Sequence, residues 1–145
     1  MIEEPTYLPL LNAIVARESS GAVVFSAWAT HTSTPEVRAM LRTVALREEE
    51  HAVAFRKRID ELGFAPEAHH DPALAERVAI ASSAELGDRA RFERLGFGAP
   101  RPDAFTSMFD DTSIDIATGA LLGRYIAEER DSARLIDDCY ARLIR

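Results

Sequence analysis

Between Pro35 and Gly63 the chain carries a helical apolar stripe in which two inward positions are held by an acid and an imidazole. The stripe runs Leu41, Val44, Glu48, His51, Phe55 and Leu62, with steps of 3, 4, 3, 4 and 7. This is the spacing of a helix that buries one face. A carboxylate buried without a partner costs several kcal/mol, on the order of the whole stability of a small domain. A fold that accepts this sequence must therefore bring compensating groups to the interior level of Glu48 and His51.

The same pattern recurs before and after. A first helix is expected from about Leu8 to about Thr30, with Thr6 as cap and Pro9 in its first turn. Its stripe is Leu8, Leu11, Val15, Glu18, Ala22, Phe25 and Ala29, so Glu18 takes an inward place, and Gly21 with Ala22 lets another group approach closely. His31 falls at the helix end, where an imidazole caps or meets solvent. Ser33-Thr34-Pro35-Glu36 starts the second helix after a tight hairpin, and Gly63 closes it near Leu62. His69-His70, in the connector Gly63–Asp71, lacks the surrounding ligands of a metal pair.

A third helix is expected over about Pro72 to Leu95, with the stripe Leu74, Val78, Ala81, Glu85, Asp88, Phe92 and Leu95. Glycines and prolines from Gly96 to Pro102 break it, and Phe97, Phe105 and Phe109 suit a loop packed against the helices up to Asp111. A fourth helix is expected from Thr112 or Ser113 to the C-terminus, with Thr112 and Asp115 at capping-box spacing. Its phase is open between the stripe Leu121, Glu128, Ser132, Leu135, Cys139 and the more apolar Leu122, Ile126, Glu129, Ala133, Ile136, Tyr140. The helices also form two related pairs. Glu18 and Phe25 are 7 apart, as are Glu85 and Phe92, and Glu48-Glu49-Glu50-His51 aligns with Glu128-Glu129-Arg130-Asp131. That alignment favours the Glu128 and Asp131 phase.

The reading is a single all-α domain over residues 1–145, a four-helix bundle built from two pseudo-repeated helix pairs with an acid on each inward face. Glu-x-x-His on an inward helix face is the device of carboxylate-bridged metal sites in such bundles. With these residues in view the chain resembles the ferritin-like superfamily, and rubrerythrin-type di-iron proteins in particular. The resemblance spans the four helices. The family pattern falls on Glu18, on Glu48 and His51, on Glu85 with the additional acid Asp88, and on Glu128 with Asp131, where the family has histidine.

The resemblance implies two iron ions bridged by Glu48 and Glu128, with Glu18, His51, Glu85 and Asp131 completing the shell. It also implies peroxide reduction or ferrous oxidation. Aspartate at 131 makes the shell more anionic and harder, which shifts preference toward manganese or a more oxidised iron, or else leaves one metal position weak or lost. The alternatives to two irons are therefore manganese or a mixed or single-metal site. Cys139 is the only cysteine, so no rubredoxin-type centre can form within the chain and electrons would come from a separate donor. The alternatives are an iron-binding or storage protein without turnover, and a metal-free helical interaction module. Tyr125, one turn before Glu128, reads as a packed aromatic.

A net charge of −7 and the lack of a basic run disfavour nucleic acid and anionic membranes as partners. The start of the chain, with no basic or apolar signal segment, points to the cytoplasm. At 1.5 Å per residue the second helix extends about 21 Å past Glu48 and the third about 20 Å before Glu85. A connector reaching ~30 Å would be strained across that span. The expectation is therefore a homodimer that exchanges helix pairs.

Overall fold

The computed structural model describes residues 2–145, and among them all regular structure is helical. The elements are α1 (Leu8–His31), α2 (Pro35–Glu61), α3 (Leu74–Ser82), α4 (Asp88–Arg94) and α5 (Ile116–Leu143), with a 3-10 turn at Thr106–Phe109. The chain is thus all-α. The hairpin α1–α2 is the most extensive packing; α3 lies on α1, α5 lies on α2, and α4 touches both α3 and α5.

Local chemistry explains the ends. Pro35 occupies the first turn of α2 and Gly63, at φ +94°, ends it. The Gly63 N–H donates to the Asp60 carbonyl at 2.9 Å, a left-handed closure open to glycine at little cost. Two caps differ from expectation. Tyr7 precedes α1 without a side-chain cap, because the Thr6 hydroxyl turns to Asp111 and Ser113 instead. The last helix, α5, starts at Ile116, with Asp115 itself as the cap, accepting from the Thr118 N–H at 3.2 Å.

The expected third helix over 72–95 is corrected to two short ones. Ser83 Oγ accepts from the Glu85 N–H at 3.3 Å, a local turn that competes with the helix ladder. Gly87 follows as the extended residue before α4. The break is held by Asp88, whose carboxylate accepts from Trp28 Nε1 at 2.9 Å, Thr32 Oγ1 at 2.6 Å and Arg91 at 3.0 Å. Arg91 in turn donates to the Ser83 carbonyl at 2.7 Å, closing the turn.

The connector stays beside α1: the Glu67 N–H donates to Asn12 Oδ1 at 3.0 Å, and Asp71 and Ser20 line one cavity. α3 then begins at Leu74 and packs on α1 of the same chain, so a single chain can make the crossing.

Two hydrophobic clusters form. One gathers Val24, Trp28, Leu41, Val44, Phe92 and Ile136; the other gathers Leu11, Val15, Phe55, Ile59, Leu122 and Tyr125. On α1, α2 and α5 the residues between the clusters are Glu18, Glu48 with His51, and Glu129, all buried. Cys139 is packed at the edge of the first cluster. By length and composition α1 meets the requirement for crossing a membrane, although Arg17 and Glu18 interrupt its apolar run; here Leu11 and Trp28 are spent on the clusters.

Candidate metal centre

His51 is the hub of the polar layer. Its Nδ1 lies 2.9 Å from Glu18 Oε1 and 3.5 Å from Glu129 Oε1, while its Nε2 lies 3.0 Å from Glu128 Oε1. Donor atoms of Glu18, His51 and Glu129 all fall within 4.8 Å of one another. Around them, Glu18 Oε2, Glu48 Oε2, Glu129 Oε1 and the Tyr125 hydroxyl are buried without a hydrogen-bond partner. Buried polar atoms are rarely left so, and an ordered water or a bound ion is the usual partner.

Gly21 makes room for one of them. A Cβ at Gly21 would come within 1.8 Å of Glu48 Oε2, so the carboxylate of α2 rests against bare backbone of α1. The close approach expected at Gly21 is thus taken by Glu48. Tyr125 packs its ring edge-on to His51, Phe55 and Phe105, which shields this side of the layer from water.

The electrostatics follow from crowding. Burial raises Glu18 to about 8, with neighbouring Glu129 adding to it against the pull of His51. Burial likewise raises Glu48 to about 9, helped by the charges of Glu18 and Glu129. For His51 burial works against protonation, but hydrogen bonds to Glu129, Glu18 and Glu128 outweigh it and lift the imidazole to about 10. Glu129 is itself pushed up by burial, yet its bonds to His51 and Glu18 leave it below the ordinary carboxylate value. The layer thus holds protons on Glu18, Glu48 and His51 and concentrates its negative charge on Glu129.

The structure brings together Glu18, Glu48 and His51 of the residues expected from sequence. It corrects the phase of the last helix: Leu122, Tyr125, Ile126, Glu129, Ser132 and Ile136 face inward. Glu129 therefore stands where Glu128 was expected. Glu128 is half-buried behind the imidazole and is also held by Arg124 at 3.1 Å. Asp131, expected as a ligand, points away and pairs with Arg47 at 2.9 Å and with Arg134. Glu85 is exposed in the turn between α3 and α4, and Asp88 is committed to Trp28, Thr32 and Arg91. No ligand comes from α3 or α4.

A cavity of about 550 Å³ opens between α1, α2, α3, α5 and the segment 95–105. Glu48 and Glu129 form part of its wall, so the centre is reached from this side. No protein family, curated protein or solved structure matched the chain in comparison.

Proposed function

We propose that this chain is a carboxylate–histidine metalloprotein that holds iron or manganese in the Glu18–Glu48–His51–Glu129 layer and reacts there with peroxide or dioxygen. The observation that carries the reading is the gathering of Glu18, His51 and Glu129 donor atoms within 4.8 Å, in a layer with three orphaned carboxylate oxygens. Oxygen-rich donors with one imidazole suit these metals. With no donor from the third-helix region, one ion per chain is the expected load, in place of the bridged pair implied by the rubrerythrin resemblance.

The chain's own residues divide the work. Glu18, Glu129 and His51 Nδ1 would hold the ion, with Glu48 against Gly21 as the nearest further carboxylate. Glu128 would accept the His51 Nε2 proton at 3.0 Å, fixing the tautomer and ring orientation in the way outer carboxylates do for metal-bound histidines. The two apolar clusters and Tyr125 exclude water from above and below. When bound, the metal supplies redox chemistry. Electrons come from a separate donor, since a lone buried cysteine builds no second centre.

A second reading is favoured by one observation. Protonated His51, bonded to Glu18 and Glu128, compensates part of the buried charge without any metal. Metal content per chain after anaerobic purification separates the two. One ion per chain is expected, lost in Glu18→Ala and Glu129→Ala, bound roughly ten- to a hundredfold more weakly in Glu128→Ala, and kept in Glu85→Ala and Asp131→Ala. Sustained peroxide consumption with an added reductant would distinguish turnover from storage. No stoichiometric iron or manganese, even after reconstitution, would leave the metal-free bundle as the correct reading.

A further inference from the structure

The cavity beside the centre has Glu48 and Glu129 of the layer in its wall, and Arg77 and Arg101 where Leu95 and Phe97 line it; Arg17, Asp71 and the ion-paired Asp103, Arg130 and Asp137 line it as well. Its apolar surface is formed by Phe25, Val44, Phe97, Phe105 and Ile136. The volume of about 550 Å³ lies in the range of small-molecule sites.

Arg101 and Arg77 have donors to spare. The Arg101 guanidinium stacks over the Phe97 ring at 5.0 Å and gives one arm to Asp137 at 3.0 Å, which leaves its other terminal nitrogen buried and without a partner. Arg77 spends one N–H on the Leu95 carbonyl at 3.3 Å and, among the described residues, forms no salt bridge. Guanidinium forks of this kind match a carboxylate. The segment that carries Arg101 is fixed over the cavity by two ion pairs to α5, Arg101–Asp137 and Arg130–Asp103, both at 3.0 Å. Phe97 and Phe105 anchor it further, on Phe25 at 5.5 Å and Tyr125 at 6.1 Å.

The geometry points to this cavity as a binding site for a small apolar carboxylic acid. Its carboxylate is taken by Arg101 and Arg77, and its hydrocarbon body lies along Phe25, Phe97 and Ile136 toward the Glu48–Glu129 wall. Charge sets the direction of entry: an anion is drawn to the free donors of Arg101 and Arg77 and opposed by the negative charge on Glu129, so the apolar end is presented to the centre. The binding site stands on the cavity and its arginines and does not depend on a metal in the centre.

Calorimetric titration of the full chain with dodecanoate, after chelator treatment and again after metal reconstitution, tests it. Dodecanol and dodecylammonium serve as comparison probes. The expected result is saturable binding of one dodecanoate per chain in both preparations, at least tenfold tighter than either comparison probe. Arg101→Ala and Arg77→Ala should each weaken it severalfold, and both together at least tenfold. Arg42→Ala, on a different groove between α1 and α2, should leave it unchanged. Absence of saturable binding, equal binding of dodecanol, or binding indifferent to both arginine variants would overturn the proposal. Dodecanoate binding by a chain that takes up no metal would uphold it and sink the metal reading instead.

Discussion

Gly21 is the residue at which function and stability can be pulled apart. Alanine is the better helix former by about 1 kcal/mol, so Gly21→Ala should leave the metal-free chain as stable as before or slightly more so. The added methyl would occupy the space of Glu48 Oε2, and that carboxylate would have to swing out of the layer. Metal affinity should fall at least tenfold while the thermal midpoint of the apoprotein holds or rises, which parallel metal titration and melting experiments would check. Equal losses in both would mean that Glu48 is a packing element only. The same scale shows how much of the site could be read in advance. Glu18, Glu48 and His51 were legible because each interrupts an otherwise regular apolar stripe. Glu129 was legible too, since its stripe is the more apolar one in α5, whereas the apparent repeat, which sets Glu128 against Glu48, places the inward acid one residue too early.

The break between α3 and α4 was not legible from periodicity, because Leu74, Val78, Ala81, Phe92 and Leu95 keep a helical spacing across it. Spacing records which face is buried and carries no information on whether the backbone stays helical between two buried stretches. What decides the matter is tertiary: Asp88 gains Trp28, Thr32 and Arg91 as partners only if the chain turns at Ser83–Gly87. Burial alone would raise this carboxylate, and the bonds from Thr32 and Trp28 outweigh it and hold it below its ordinary value. Asp88→Ala would strand the buried Arg91 guanidinium and the indole N–H together. A loss of roughly 3 kcal/mol is expected, the scale for breaking a buried charged pair. Urea unfolding should register it as a lower midpoint at unchanged slope, and the metal content of the still-folded protein should be unaltered. A drop in metal content without loss of stability would return Asp88 to the ligand set.

At the scale of the whole molecule the polar layer ties stability to pH, and the sign follows from the raised groups. Glu18, at about 8, and Glu48, at about 9, both stand above the ordinary carboxylate value of 4.5, and His51, at about 10, stands above 6.5. Each binds its proton more tightly in the fold than in the unfolded chain. Their contribution is therefore complete below the unfolded values and is lost as pH rises through 8 to 10. Glu129, lowered by its bonds, acts in the opposite sense, and its contribution is lost only as pH falls below the ordinary carboxylate range. From pH 6 to 9 the metal-free chain should lose stability with rising pH, by about 1.4 kcal/mol per pH unit for each raised group that is protonated in the fold and not in the unfolded chain, and so by a few kcal/mol per unit where all three act. A bound ion displaces those protons, so manganese affinity should rise with pH over the same window. Manganese-loaded protein should accordingly show a flatter or rising melting temperature where the apoprotein falls. If apoprotein stability is instead flat from pH 6 to 9, the layer binds no more protons in the fold than in the unfolded chain, and metal uptake would release few.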